Sequence, residues 1–146
     1  MVQVRNYVYL TLKALTCKKG KSLSLITLDY VDILDGKNEK KVLEFSTYLL
    51  KEPVNKNSLF VIKVDGESMQ PVIQNRGLVV ADLSQKIVED KGIYLIYTED
   101  KMWIKQAKKE AGGMTFISIN EAFSHLVYEE INVRIVAKAV LSFNTF

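Results

Sequence analysis

From Leu59 onward the chain is a succession of short runs rich in β-branched and aromatic residues, each stopped by glycine, asparagine or charge. The runs are Leu59 to Val64, Leu78 to Ala81, Gly92 to Tyr97, Lys101 to Gln106, Met114 to Ile119 and Val133 to Phe143. Such runs read as strands, because branched and aromatic side chains pack well on a pleated surface and turn residues interrupt any helical period. Glu99-Asp100 predicts the turn of a hairpin with arms Ile93 to Tyr97 and Met102 to Lys105, and Ala111-Gly112-Gly113 predicts another. Upstream, Leu23 to Ile33 reads as extended, Asp35-Gly36-Lys37-Asn38 as a turn or open loop, and Val42 to Leu50 as strand or short helix. Val2 to Leu12 fits both alternation and helical spacing; its valines and tyrosines favour strand. The expected fold is mainly β, built of strands and hairpins with little helix.

Composition narrows the class. Of 146 residues 48% are hydrophobic and only 2 are proline, which suits one folded domain with a short extension. No run approaches the roughly eighteen apolar residues of a membrane helix, and Met1-Val2-Gln3-Val4-Arg5 does not open a secretory leader. A soluble cytoplasmic protein with no membrane partner is the expectation. The net charge of +3 is too slight to argue for nucleic acid. Lys18-Lys19-Gly20-Lys21, Lys37 to Lys41 and Lys105 to Lys109 read as solvated turns and edges, so direct DNA binding is not expected. Cys17 reads as a free thiol in a reducing compartment. The single histidine, His125, has no partner pattern for a Ser-His-Asp triad and reads as structural or surface-polar. One cysteine and one histidine leave no zinc set, and Glu99-Asp100 and Glu129-Glu130 form no calcium loop; neither metal nor cofactor is expected.

Two segments carry the chemistry: Val64-Asp65-Gly66-Glu67-Ser68-Met69-Gln70-Pro71 and Met102-Trp103-Ile104-Lys105-Gln106. A serine hydroxyl is a weak nucleophile until a base takes its proton. A lysine serves as that base only when desolvation pulls its pKa toward neutrality. Lys105, between Ile104 and Ala107 and near Trp103, has such surroundings. Ser68 follows a strand at a tight turn, where Pro71 limits any helix to about a turn. Backbone N–H groups of Ser68 and Met69 are candidate oxyanion donors, and Gly66 suits a positive φ or a close backbone approach. Trp103 reads as a wall of the lysine pocket, Met69 as packing or lining the site, and Glu67 as solvated or orienting. The plainer reading makes the glycine–serine turn a hairpin closure and Lys105 a guard on an edge strand.

Phe60 to Leu141 resembles the carboxy-terminal peptidase domain of the LexA/UmuD-like self-cleaving proteins, the S24 class related in core fold to signal peptidases. Phe60 to Met69 matches the nucleophile box. Lys91 to Ile96 with Met102 to Lys105 matches the strand pair bearing the base, and the interval of 37 residues from Ser68 to Lys105 is the one such proteins use. Ile119-Asn120-Glu121-Ala122-Phe123 resembles the later asparagine-containing segment, and Val133 to Leu141 the closing strand.

The resemblance implies a Ser68 nucleophile, a Lys105 general base and cleavage of the chain's own upstream segment. It points to Asp35-Gly36, 32 residues ahead of Ser68, as the candidate scissile bond, although the family usually places Ala or Cys before the glycine. Residues 1–36 would then be a removable arm and 37–146 the peptidase domain. Where the family shows an acidic–glycine–acidic turn, this chain has Asn75-Arg76-Gly77; the turn chemistry is expected to survive through Asn75 and Gly77. The region before Leu23 reads as too short for a winged helix-turn-helix, so the architecture is closest to UmuD. The implied partners are a second copy, with the apolar tail from Val133 to Phe146 as a strand available for pairing, a recombinase filament as activator and a translesion polymerase. The alternatives are a catalytically retired dimeric module acting on a polymerase or regulating a mobile element, and a DNA-binding regulator using the basic N-terminal segment.

Overall fold

The computed structural model describes residues 25–51 and 54–146. The expected strand at Val2 to Leu12, Cys17 and the Lys18–Lys21 cluster lie outside the described residues. Strand β1 (Leu25–Leu34) pairs antiparallel with β2 (Lys37–Ser46), from Leu25 opposite Ser46 to Leu34 opposite Lys37. Asp35 and Gly36 form the two-residue connection with φ of 50° and 75°, the left-handed pair that matches the twist of a hairpin. The segment is thus a tight turn, and the strand resumes at Lys37. Along β1 the alternation sends Ile26 and Asp32 inward and leaves Val31 and Ile33 outside.

The second sheet contains β3 (Leu59–Lys63), β4 (Leu78–Asp82), β5 (Ile93–Thr98), β6 (Lys101–Glu110), β7 (Gly113–Ile117), β8 (Val127–Glu129) and β9 (Arg134–Phe143). Their order is β3-β4-β9-β5-β6-β7-β8, and every neighbouring pair is antiparallel. Among the described residues helical structure is confined to single 3₁₀ turns such as Thr47–Leu49 and Glu121–Phe123. The fold is mainly β, as expected, and among the described residues no helix is long and apolar enough to cross a membrane. The Glu99-Asp100 turn joins β5 to β6 as predicted, with both residues at positive φ. Val42 to Leu50 divides into the end of β2 and the turn Thr47–Leu49. The C-terminal run forms β9 between β4 and β5: Arg134 to Lys138 pair with β5, and Lys138 to Phe143 pair with β4.

The hairpin packs on the sheet through Ile26, Phe45, Leu59, Val61 and Val80. A carboxylate accompanies this apolar contact. Asp32 is 1% exposed and accepts hydrogen bonds from Lys63 Nζ at 2.7 Å and Lys41 Nζ at 2.9 Å, with the Arg76 guanidinium 3.6 Å away. The Lys63 bond, then the Lys41 bond, holds its pKa down to about 2. A second buried carboxylate, Asp82, would be raised by burial, but hydrogen bonds from Ser58, Ser84 and Gln85 bring it to about 2 as well.

Because the folded-state pKa of Asp32 lies below its ordinary 3.8, its contribution is complete above that value and is lost as pH falls through about 2. Asp32→Asn is expected to lower the melting temperature at pH 7 and to speed amide exchange in β1. The difference from wild type should shrink steadily below pH 4 in parallel thermal melts.

Candidate active site

Ser68 sits on the loop joining β3 to β4, and the loop is fastened at its base. The Val64 N–H donates to the Gly77 carbonyl and the Arg76 N–H to the Val64 carbonyl, both at 2.8 Å, while the Gly66 N–H donates to Asn75 Oδ1 at 2.8 Å. Gly66 has φ of 122°, as its position suggested. Met69 and Ile73, each 2% exposed, plug the loop onto Val79, with Ile93 and Ile104 beside them. Within Asn75-Arg76-Gly77 the left-handed residue is Arg76, with φ of 67°. Gly77 is needed for a different reason: a Cβ there would stand 2.8 Å from Asn144 Oδ1 and 3.0 Å from the Gln74 carbonyl.

Lys105 lies in the middle of β6, paired with β5 one residue before the β7 ladder begins at Gln106, and its burial means that it guards no edge. Its ladder partner is Tyr94, and both are 0% exposed. Trp103 precedes it by two residues and shares its face of the strand; the ring centroid is 5.4 Å from Nζ. Lys105 Nζ donates to Ser68 Oγ at 2.9 Å. Burial pushes the amine down to about 8. The Trp103 face favours the cation and opposes that trend, so at pH 7 the neutral base is a minority of about a tenth. Ser68 lines a cleft of about 580 Å³ whose walls include Val64, Trp103, Ile104, Phe123 and Leu126, and Lys105 reaches Ser68 from the buried side. A second hollow of about 660 Å³ at the β7–β8 end, with Glu110, Met114 and Glu129 on its walls, has no serine, lysine or histidine.

Met69 packs in the core. Among the described residues, neither its N–H nor that of Ser68 finds an acceptor. The Glu67 side chain is exposed, and so is His125. Asp35-Gly36 is at the tip of the β1–β2 hairpin, where a Cβ on Gly36 would meet nothing within 4 Å. A boundary at 36/37 falls between two paired strands. No group of three histidine, cysteine, aspartate or glutamate side chains among the described residues is placed to hold a metal.

Two asparagines do more than the sequence suggested. Asn75, expected to keep the turn, also anchors Gly66. Asn120 donates from its N–H to the Ser68 carbonyl and from Nδ2 to the Glu67 carbonyl, both at 2.9 Å, and its Oδ1 accepts from the Ala122 N–H. The asparagine-containing segment had been noticed only by resemblance. Nothing local in Ile119-Asn120-Glu121 announces a contact 53 residues back along the chain.

A family model described as Peptidase S24-like matches residues 31–140. An uncharacterized HTH-type transcriptional regulator of Haemophilus influenzae is 34% identical over 68 residues, which are 47% of this chain and 28% of that protein. The match thus spans little more than a quarter of the relative's length.

The buried amine ties stability to pH. Its folded-state pKa of about 8 lies below the ordinary 10.5, so the fold gains stability as pH rises from 8 to 10.5. A shift of that size corresponds to about 3 kcal/mol. Lys105→Met, nearly isosteric and uncharged, is expected to melt higher than wild type at pH 7. Melts across pH 7 to 10.5 should show that advantage closing.

Proposed function

The chain belongs to the peptidase S24-like family, and from that premise we propose that it is a self-processing serine peptidase in which Ser68 is the nucleophile and Lys105 the general base. The observation that carries this reading is the 2.9 Å contact between Ser68 Oγ and an amine that burial has drawn toward neutrality. Neutral Lys105 accepts the hydroxyl proton as Oγ adds to the scissile carbonyl carbon. The Ser68 and Met69 N–H groups receive the oxyanion. Collapse of the tetrahedral intermediate expels the amine, which takes the proton from Lys105 and leaves an ester on Ser68. Water, deprotonated by Lys105, then adds to the ester; its collapse releases the acid and restores the serine hydroxyl.

The substrate in this reading is the chain's own upstream segment, cut at Asp35-Gly36 as part of a cytoplasmic DNA-damage response of the UmuD kind. A reacting peptide must lie extended across the nucleophile, whereas this bond is the turn of a hairpin whose arms are 10 residues each. Cleavage therefore requires the hairpin tip to open. That requirement fits an activator such as a recombinase filament, with a homodimer that afterwards engages a translesion polymerase. A second reading keeps the hairpin closed and makes the domain a regulatory module without cleavage. The closed turn at Asp35-Gly36 favours it, and so does similarity to a protein named as a transcriptional regulator.

Intact mass of wild type and Ser68→Ala, incubated from pH 7 to 10 with and without a recombinase–single-strand DNA filament, separates the two. The peptidase reading expects a break before Gly36 in wild type alone, with a rate that rises as pH passes about 8. An uncut wild type under every condition would leave the regulatory reading.

A further inference from the structure

We infer that Asn120 is a positioning residue that aims the two backbone donors of the oxyanion pocket; this rests on the peptidase reading of Ser68. The peptide unit is planar and trans, so its N–H points opposite to its C=O. Asn120 Nδ2 and the Gln70 N–H hold the Glu67 carbonyl, which fixes the direction of the Ser68 N–H in the same peptide plane. The Asn120 backbone N–H holds the Ser68 carbonyl, and that fixes the direction of the Met69 N–H. One residue thus sets two successive peptide planes.

Both carbonyls are turned toward Asn120, while among the described residues both N–H groups are left without acceptors. An unpaired N–H is costly where water is excluded, and here the two fall on the residue that carries Oγ and the residue after it. Two such donors stabilise an oxyanion only if they are aimed before the charge develops. Asn120 is itself held, because its Oδ1 caps the 3₁₀ turn Glu121–Phe123 through the Ala122 N–H. That turn contributes Phe123 to the wall of the same cleft. A serine or glycine at 120 would still cap the turn, but neither carries an amide that reaches the Glu67 carbonyl.

The test is the pH profile of self-cleavage for wild type, Asn120→Ser and Asn120→Asp, read by intact mass after a jump from pH 6 to each alkaline pH. Both variants keep an acceptor for the Ala122 N–H and the backbone bond to Ser68, and both lose the Nδ2 donor. The limiting rate is expected to fall about 10²-fold in both variants, with the midpoint of the Asn120→Ser profile still near that of wild type. In Asn120→Ser a loosened fold would instead hydrate Lys105 and move the midpoint up toward the amine's ordinary 10.5; in Asn120→Asp the new carboxylate raises the midpoint by itself, so only the limiting rate of that variant is read. Wild-type limiting rates in both variants would overturn the inference while leaving the peptidase reading intact, and so would a loss accompanied by that upward shift in Asn120→Ser. A wild type that never cleaves would end the peptidase reading and this role with it. If Asn120→Ser melts below the assay temperature, Asn120→Asp, closer in shape, decides.

Discussion

Lys105 carries an amine into a place where its side chain has no access to water, and the surrounding elements are arranged to make that tolerable. Placing it there requires pairing with Tyr94 of β5, the Trp103 ring beside the amine, and one polar partner, Ser68 Oγ. An ammonium in such a position is unfavourable by several kcal/mol unless it is neutralised or well paired, and the drop to about 8 expresses that tension. An apolar side chain would fill the space at less expense. Keeping a buried amine where an apolar core residue would fit is characteristic of sites in which function opposes stability.

The serine reaches this lysine by a detour. In the sheet order β3 lies four positions from β6, roughly 19 Å across a flat sheet. The loop after β3 closes the distance, anchored by Met69 and Ile73 in the apolar layer and by the hydrogen bonds of Asn75 and Asn120. Both feet of that loop meet the same carboxylate, since Lys63 ends β3, Arg76 turns the chain into β4, and both face Asp32 of β1. The hairpin that holds the candidate cleavage bond is therefore joined by charge to the loop that carries Ser68, and its Ile26 and Phe45 pack on the sheet.

Several elements could be read in advance because their signals are local. The β5–β6 hairpin was written in two apolar runs flanking Glu99-Asp100, and the positive φ of Gly66 in its place after a strand. β8 escaped notice because Val127-Tyr128-Glu129 is too short to establish a period. Turn chemistry was expected to survive through Asn75 and Gly77; the left-handed residue of that turn is Arg76, and Gly77 is reserved for the close approach of Asn144 and the Phe143 carbonyl. β9 had the composition of a strand free to pair, yet no run of apolar residues declares whether it will be an edge or a centre.

Local chemistry alone decided that this chain is a β protein, where most of its turns fall, and that Ser68 and Lys105 stand out as the candidate pair. Strand propensity, turn residues and side-chain type are properties of neighbours along the chain, and they are legible there. Only the folded structure decided that β9 is central, that Asp32 joins the hairpin to both ends of the nucleophile loop, and that Asn120 holds two of its carbonyls. It also decided that Lys105 is buried deeply enough to lose its proton near pH 8. Burial, register and long-range hydrogen bonds depend on which distant segments meet, and that is set by the packing of the whole domain.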